Sequence, residues 1–385
     1  MSQVVFIRCE SYEPGEVSRA VRRGLELLGG AKAFVKPGER LLLKPNWLAA
    51  AAPDEAVTTH PEVFRAVAQA FLEAGAQLSY GDSPAFQAPE LAARKTGFLA
   101  VGDELGLKLA DFVTPVEVHF AEGLQNKRFV VAKGVTEADG VISLPKLKTH
   151  GFLKFTGSIK NQFGCVPGAL KGEYHVKLPD ARDFARMLVD LNRWVAPRLY
   201  VMDGILAMEG NGPRGGTPKP MNLLAFSADP VALDASLCRL LDVDPALVPT
   251  TAFAHEAGAG TLERDEIELL GDPFASFSQP SFDIKREPLP SFRTGGLFRA
   301  AKNALVPKPF IVAERCTRCG TCVKVCPVAP KAVDWHSGDH KVPPSYLYDR
   351  CIRCYCCQEL CPEKAVELKV PLLRRLLGTA KTGRD

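Results

Sequence analysis

The chain has 385 residues, enough for two or three domains, and its 46% hydrophobic and 24% charged residues are typical of a folded globular protein. A net charge of +4 is too small to indicate a nucleic-acid partner, and no apolar run approaches the ~20 residues that span a bilayer. The opening residues, MSQVVFIRCESYEP, predict a β-strand and not a signal peptide, so we expect a cytoplasmic location.

Strand-like and helix-like segments alternate along the larger, N-terminal part of the chain, which we place at residues 1–285. This alternation predicts an α/β domain, with a layered and mostly parallel sheet that carries helices on both faces. The predicted strands are 4–9, 40–44, 77–81, 128–132, 140–144, 198–202 and 223–226, and the clearest amphipathic helices are 17–28, 61–74 and 181–195.

Polar motifs follow several of these predicted strands directly. Ligands bind beyond the carboxyl ends of the strands in open α/β sheets, so the motifs predict a site at that edge. The motifs are KPNW (44–47), TTHPEV (58–63), GDSP (81–84), LPKLKTHGF (144–152), GSIKNQFGCVPG (157–168), DGILAMEGNGPRGG (203–216) and DPVALDA (229–235).

Three residues in these motifs are candidate catalytic groups: Lys148, His150 and Lys160. Lys146, Lys148 and His150 alternate, so they share one face if the strand continues, while Lys160 lies at the start of the next helix. A desolvated lysine serves as a base or a Schiff-base former, and histidine titrates near neutral pH, so we expect one of the three to supply a proton. The alternatives are a solvated surface charge for each lysine and a hydrogen-bonded structural role for His150.

Eight further residues are predicted to bind an anionic small molecule. Ammonium and amide groups at strand ends suit a carboxylate or phosphate, and the glycine-rich segment 208–216 lets backbone N–H groups approach an anion. A plain surface loop is the alternative for that segment, and a helix cap is the alternative for Asp82. The predicted substrate-binding residues are Lys44, Asn46, Asp82, Lys146, Asn161, Glu209, Asn211 and Arg214.

Four other residues near these motifs are predicted to be structural. His60 precedes Pro61 at a helix start, and Asp229 and Asp234 are expected to cap and orient the helix that begins at Pro230. Cys165 is expected to be a small packed residue, with a nucleophilic thiol as the alternative.

A basic segment rich in proline and glycine separates the two halves of the chain. We predict a packed linker at residues 286–310, within which 297–305 has the pattern of a short amphipathic helix. A second basic segment, at residues 370–385, is predicted to be a tail.

The C-terminal part repeats one cysteine motif, since ERCTRCGTCVKVCP (314–327) is echoed by DRCIRCYCCQELCP (349–362). Both copies have the bacterial ferredoxin spacing C-x2-C-x2-C-x3-C-P. They predict a small α+β ferredoxin-like domain at residues 311–369 that binds two 4Fe–4S clusters. Zinc also uses C-x2-C pairs, but it would leave the middle cysteine of each triplet without a role.

In two-cluster proteins the fourth cysteine of each motif ligates the other cluster, which assigns the ligands here. Cys356 falls outside the pattern, and we interpret it as a packed free thiol, with a redox thiol or an alternative ligand as the other interpretations. One cluster is predicted to take Cys316, Cys319, Cys322 and Cys361, and the other Cys351, Cys354, Cys357 and Cys326.

The predicted ferredoxin-like domain is slightly basic, with nine Lys and Arg against seven Asp and Glu. Complementary charge speeds the encounter of proteins, so this surface predicts an acidic electron carrier of the ferredoxin or flavodoxin type as a partner. The alternative is a solvated surface without a partner.

The polar motifs of the larger domain, in this order, resemble the iron–sulfur family called domain of unknown function 362, which is often followed by a two-cluster ferredoxin module. The resemblance runs from Val4 to about Leu368 and implies the two-domain architecture and an active site in the larger domain. We therefore predict an oxidoreductase that passes electrons through two 4Fe–4S clusters to a bound anion. The alternatives are an electron-transfer adaptor for a partner protein, and a non-redox enzyme with structural or regulatory clusters.

Overall fold

The structure, a computed structural model, describes residues 1–84, 86–289 and 305–372. Most of the predicted linker, including its candidate helix at 297–305 apart from the last residue, lies outside the described residues. So does the predicted tail beyond residue 372.

A ten-stranded sheet forms the centre of the larger domain, and the path through its main strands is β12-β1-β11-β10-β7-β2-β3-β4. β8 extends from β10 and pairs with β9. Six of the strand pairs in the described part of this sheet are parallel and three are antiparallel, which confirms the mostly parallel α/β fold. The strands of the domain are β1 (Ser2–Arg8), β2 (Arg40–Pro45), β3 (Gln77–Tyr80), β4 (Lys108–Leu109), β5 (Pro115–His119), β6 (Arg128–Ala132), β7 (Gly140–Leu144), β8 (Lys146–His150), β9 (Lys154–Thr156), β10 (Leu199–Glu209), β11 (Thr217–Ser227) and β12 (Ile267–Gly271).

The predicted strand at 128–132 forms as β6, but it is not part of the central sheet. It pairs antiparallel with β5 in a separate hairpin. The reason is that its buried residues Phe129 and Val131 pack with Phe184 and Leu188 of the long helix at 181–195, which places the hairpin outside the sheet.

Helices cover both faces of the sheet, as predicted. Val5 and Ile7 of β1 pack in one core with the first two helices, while Val4 and Phe6 pack in a second core with the helix that begins at Pro230. Successive side chains of a strand point to opposite faces, so this division follows directly from the sequence of β1. The helices are α1 (Pro14–Glu26), α2 (Pro61–Glu73), α3 (Pro89–Lys95), α4 (Phe98–Glu104), α5 (Lys133–Thr136), α6 (Ser158–Asn161), α7 (Leu170–Lys177), α8 (Ala181–Val195), α9 (Pro230–Leu240) and α10 (Pro249–Glu256).

Two aspartates near the start of α9 have different roles. Asp229 caps α9, since its carboxylate accepts the N–H groups of Val231 and Ala232. Asp234 was expected to cap the same helix, and that prediction is wrong. It lies within α9 and accepts the backbone N–H of Ser158 at 2.8 Å, so it holds the first turn of α6 in place.

The C-terminal module, residues 305–372, is a small α+β unit, as predicted. Its outer strands β13 (Lys308–Ile311) and β16 (Val366–Lys369) pair antiparallel, as do the short β14 (Val333–Asp334) and β15 (Ser345–Tyr346). Two short helices, α11 (Thr321–Val325) and α12 (Cys356–Glu359), carry cysteines of the two motifs.

The module packs directly against the larger domain. Gln358 Nε2 donates to the backbone oxygens of Asn211 (2.8 Å) and Gly212 (3.0 Å). Tyr355 packs edge-on against Phe152, with ring centroids 6.3 Å apart. These contacts place α12 beside the end of β8, which is the strand that carries the predicted catalytic residues.

Candidate functional site

Lys146, at the start of β8, is committed to a buried ion pair. Its Nζ donates to Asp203 Oδ2 and to the Tyr12 hydroxyl, each at 2.8 Å, and both charged side chains are fully buried. Asp203 also accepts the backbone N–H of His60 at 2.9 Å, and the His60 ring stacks on Tyr12. The contacts of Lys146 are therefore structural, in contrast to its predicted substrate-binding role.

Lys148, two residues further along β8, is also buried. Its Nζ donates to Asn46 Oδ1 at 2.8 Å and to the backbone oxygen of Val57. Burial lowers the pKa of Lys148 well below its ordinary value, and the nearby ammonium groups of Lys160 and Lys146 act in the same direction. This environment favours the neutral amine, which is the form that accepts a proton or attacks a carbonyl.

His150, at the end of β8, is held in one tautomer by its hydrogen bonds. Its Nδ1 accepts the backbone N–H groups of Phe152 (3.1 Å) and Leu153 (3.2 Å), so the ring proton is on Nε2. Burial lowers the pKa of His150 to about 4, which also favours the neutral ring. With Nδ1 occupied and Nε2 already protonated, His150 fits a hydrogen-bond donor better than the proton-transfer role predicted for it.

Lys44, Asn46, Asp82 and Asn161 are brought together by the fold, and they bond mainly to one another. Lys44 Nζ lies 3.1 Å from Asp82 Oδ1, and Asn46 Nδ2 donates to Asn161 Oδ1 at 3.1 Å. The backbone of Gly164 passes so close that an added Cβ would lie 1.7 Å from Asp82 Oδ1. These four predicted substrate-binding residues form one polar wall, in which Asp82 pairs with a lysine and does not cap a helix.

Lys160, on α6, is the one of the three candidate catalytic residues without a direct partner among the described residues. It is partly buried, and it makes no hydrogen bond or ion pair with any residue that the structure describes. Burial lowers the pKa of Lys160, and Glu359 is the charged group that most strongly opposes this effect. An anion bound at the Lys160 ammonium would supply the missing counter-charge.

Two residues of α7 that the sequence analysis missed border this region. Lys171 Nζ donates to the backbone oxygen of Ser83 at 2.7 Å, and burial lowers the pKa of Lys171 to about 7. The ring of His175 is buried and stacks on Phe184 at 4.3 Å, while its Nδ1 is unpartnered among the described residues. Lys171 and His175 are four residues apart, which places them on the same face of a helix, and this spacing could have identified them from the sequence.

Glu359, the last residue of α12, is the other residue that the sequence did not indicate. It is 9% exposed, and its Oε1 lies 2.9 Å from His150 Nε2, the ring nitrogen that carries the proton. Burial alone would raise the pKa of Glu359, but His150 and Lys160 outweigh that effect and lower it to about 2. The C-terminal module thus contributes a carboxylate to the region formed by β8 and α6.

The glycine-rich loop at 208–216 is not part of the lysine-lined region. Glu209 Oε2 accepts the backbone N–H of Asp283 at 3.0 Å, and Asn211 Nδ2 donates to the Val366 oxygen at 3.1 Å. Arg214 is directed at the Leu360 oxygen, 3.5 Å away. The three predicted substrate-binding residues of this loop instead fix local structure and hold the C-terminal module.

The cysteines of the two motifs lie in two neighbouring groups. The first three of one motif and the last of the other line a single recess. The remaining four lie in one buried cluster, and all twelve cysteines are free thiols. No group of three or more His, Cys, Asp or Glu in the described ranges is arranged to hold a single metal ion. The recess is lined by Cys316, Cys319, Cys322 and Cys361, and the other four are Cys326, Cys351, Cys354 and Cys357.

Four convergent free thiols around one recess are the ligand set that a 4Fe–4S cluster requires, so these residues fit the group. Residues 308–362 match the family described as the 4Fe-4S dicluster domain, and the protein is accordingly an iron–sulfur protein with a ferredoxin-type domain. Residues 41–239 match the Domain of unknown function (DUF362), and the chain belongs to that family.

Two known proteins are similar to this chain. The Thylakoid-associated protein sll1697 of Synechocystis sp. is 41% identical over 259 residues, which are 67% of this chain and 80% of that protein. The solved lactate racemase apoprotein from Thermoanaerobacterium thermosaccharolyticum has a TM-score of 0.39 and 13% identity, over 59% of this chain. The chain spans about half of that structure, 54%. In the part of the chain that the structure describes, no helix has the length and apolar character needed to cross a membrane.

Proposed function

We propose that the protein is a cytoplasmic oxidoreductase that delivers electrons to an anionic small molecule bound at Lys148 and Lys160. The observation that carries this proposal is the 2.9 Å approach of Glu359 Oε1 to His150 Nε2. Glu359 lies between two cysteines of the second motif, so the ferredoxin-type domain and the lysine-lined region are in direct contact. An electron carrier and a ligand site that share a boundary support a redox role.

The proposed cofactors are two 4Fe–4S clusters, which supply one-electron transfer when bound. Cys316, Cys319, Cys322 and Cys361 would hold one, and Cys351, Cys354, Cys357 and Cys326 the other. The proposed electron donor is an acidic carrier of the ferredoxin or flavodoxin type. Cys319 is exposed whereas Cys354 and Cys357 are buried, which favours the first motif as the side that such a carrier approaches.

Different residues of the larger domain have different proposed roles towards the ligand. The unpaired ammonium of Lys160 attracts and holds an anionic group, and His150 donates a hydrogen bond from Nε2. Lys160 supplies the proton, because burial lowers the pKa of its ammonium and so makes it a stronger acid. The wall of Lys44, Asn46, Asp82 and Asn161 fixes the position of these groups.

The test begins with anaerobic purification and measurement of iron and acid-labile sulfide. About eight of each per chain are expected for two 4Fe–4S clusters, and zinc without sulfide would overturn the assignment. The protein is then reduced with dithionite and mixed with small carboxylates and phosphates that carry a reducible double bond or carbonyl group, while the visible absorption is followed. Reoxidation is expected in the wild type and should be at least tenfold slower in Lys160→Met.

Lys133→Met is the matched control, because Lys133 is an exposed lysine far from the site. It should reoxidise at the wild-type rate. Reduced clusters that no binding anion reoxidises would contradict the proposed enzyme and favour an electron-transfer adaptor. Turnover that survives the loss of both clusters would instead favour a non-redox enzyme.

A further inference from the structure

A tyrosine hydroxyl of the C-terminal module donates a hydrogen bond to one of the motif cysteines. Tyr346 Oη lies 3.3 Å from Cys357 Sγ. A tyrosine hydroxyl keeps its proton at neutral pH, so it is the donor and the sulfur is the acceptor. Cys357 is buried, and it belongs to the second cysteine group, which consists of Cys326, Cys351, Cys354 and Cys357.

The orientation of this hydroxyl is fixed by the packing of its ring. Tyr346 is in β15, which pairs with β14, and its ring stacks on Tyr348 with centroids 5.7 Å apart and planes 5° apart. The Tyr348 hydroxyl in turn donates to the backbone oxygen of Pro309 at 3.0 Å. The donor is therefore held at the sulfur by neighbouring groups, as a preorganised contact requires.

The first cysteine group, which lines the recess, provides a contrast. Thr321 Oγ1 lies 3.3 Å from Cys319 Sγ, and Cys319 is exposed. Water can replace a hydroxyl that is removed from an exposed sulfur, whereas a buried acceptor is left without a partner. The hydrogen bond from Tyr346 should therefore have a larger effect than the contact with Thr321.

Hydrogen bonds to the ligand sulfurs are among the factors that set the reduction potential of a 4Fe–4S cluster. A donor stabilises the negative charge that the sulfur gains when an electron is added, so it raises the potential.

We propose that Tyr346 raises the reduction potential of the cluster held by the second cysteine group, and so favours the presence of the electron beside the larger domain. Cys357 is on α12, and the next residue of that helix, Gln358, donates to the backbone oxygens of Asn211 and Gly212. This inference rests on the proposed function for the presence of two clusters. It makes Tyr346 a positioning residue that acts through Cys357.

The experiment is a redox titration of the iron-loaded protein with dithionite and mediators, in which each cluster takes up one electron. Electron paramagnetic resonance follows the two reduced clusters separately. Tyr346→Phe keeps the ring and removes the donor. The potential of one cluster should fall by about 59 mV, which is a tenfold change in the equilibrium constant for one electron, and that of the other should not change.

Two variants are matched controls. Tyr348→Phe removes a neighbouring hydroxyl that donates to a backbone oxygen and not to a sulfur, so both potentials should keep their wild-type values. Thr321→Val should lower the potential of the other cluster, and by less than Tyr346→Phe lowers its own. Unchanged potentials in Tyr346→Phe, or equal shifts of both clusters, would overturn the inference.

Iron and sulfide contents check that each variant carries both clusters. If Tyr346→Phe does not load iron, replacement of Tyr346 by meta-fluorotyrosine serves instead. The fluorine withdraws electrons and makes the hydroxyl a stronger donor, so the same potential should rise. A potential that stays at the wild-type value would then count against Tyr346.

These outcomes are separate from those of the anion test. Unchanged potentials in Tyr346→Phe, with normal reoxidation of the wild type by a reducible anion, would contradict the role of Tyr346 and leave the oxidoreductase intact. A lowered potential in one cluster of Tyr346→Phe, with no anion that reoxidises the wild type, would do the reverse.

Discussion

Lys146 is a buried cation and Lys160 a partly buried one at the same edge of the sheet, and their surroundings differ. Lys146 has a carboxylate and a phenol as direct partners, both 2.8 Å from its Nζ. Lys160 has neither a hydrogen bond nor an ion pair in the described part of the chain. A lysine whose donors are satisfied by the protein stabilises the fold, whereas one left unsatisfied has its donors available for a ligand.

The largest change in the free energy of unfolding is expected for Lys146, whose hydrogen-bond donors are satisfied by the protein. Lys146→Met leaves the Asp203 carboxylate buried without its counter-charge, so the free energy of unfolding should fall by about 3–5 kcal/mol. Urea unfolding measures it, and Lys133→Met should change it by less than about 0.5 kcal/mol. A loss below about 1 kcal/mol for Lys146→Met would remove the distinction between the two lysines.

Asp234 links pH to the helix that carries Lys160. Burial raises the pKa of Asp234 to about 7 in the folded protein, against about 3.9 in an unfolded chain. Between about pH 4 and pH 7, Asp234 is therefore protonated in the folded protein and ionised in the unfolded chain. The stability that this proton contributes is fully present below about pH 4 and is lost as the pH rises through 7.

Asn mimics the protonated acid, so Asp234→Asn should escape this loss. Its stability relative to the wild type should increase by up to about 1.4 kcal/mol per pH unit between pH 4 and 7, and then level off. Urea unfolding at a series of pH values measures the difference. A difference that stays constant over that range would show that Asp234 is ionised throughout.

Gly164 provides a smaller test, which concerns the packing of the polar wall formed by Lys44, Asn46, Asp82 and Asn161. Its Cβ would meet Asp82 Oδ1 and Lys44 Nζ, so Gly164→Ala should cost about 1–3 kcal/mol and displace the Lys44–Asp82 pair. Gly15→Ala is the control, because the nearest atom to its added Cβ is 3.5 Å away. Wild-type thermal stability in Gly164→Ala would indicate that the wall is loosely packed.

The smallest change in stability is expected for Lys160, which has no hydrogen-bond partner among the described residues. Lys160→Met removes an ammonium that stabilises no other group directly, so the free energy of unfolding should change by less than about 0.5 kcal/mol. The reoxidation of reduced clusters by a reducible anion should nevertheless become at least tenfold slower. A destabilisation as large as that of Lys146→Met would make Lys160 a structural residue.

Much of the central sheet was predictable because its strands are apolar and alternate regularly with helices. The strands at 140–144 and 128–132 have the predicted bounds. The two-residue β4 and the edge strand β12 were missed, because short strands at an edge bury few side chains and leave a weak pattern. The separate pairing of 128–132 depends on α8, which local sequence does not reveal.

For the site, sequence indicated the residues that lie at strand ends but not their partners. Lys148 and Lys160 were identified from their motifs, whereas Glu359 was not, because it meets His150 only after the two domains pack. The loop at 208–216 shows the opposite error. Its glycines predicted an anion site, but Asn211 and Arg214 face the C-terminal module. Composition cannot distinguish a surface that binds a ligand from one that binds another domain.

The position of Glu359 within the second cysteine motif has a consequence for how the protein matures. It ends a helix of four residues, and Cys357 and Cys361 lie two residues to either side of it. A chain that has not yet received its iron would lack the constraint that fixes this helix beside His150. Metal insertion would then be the last step in bringing the Glu359 carboxylate to His150, and the junction of the two domains would be complete only in the iron-loaded protein.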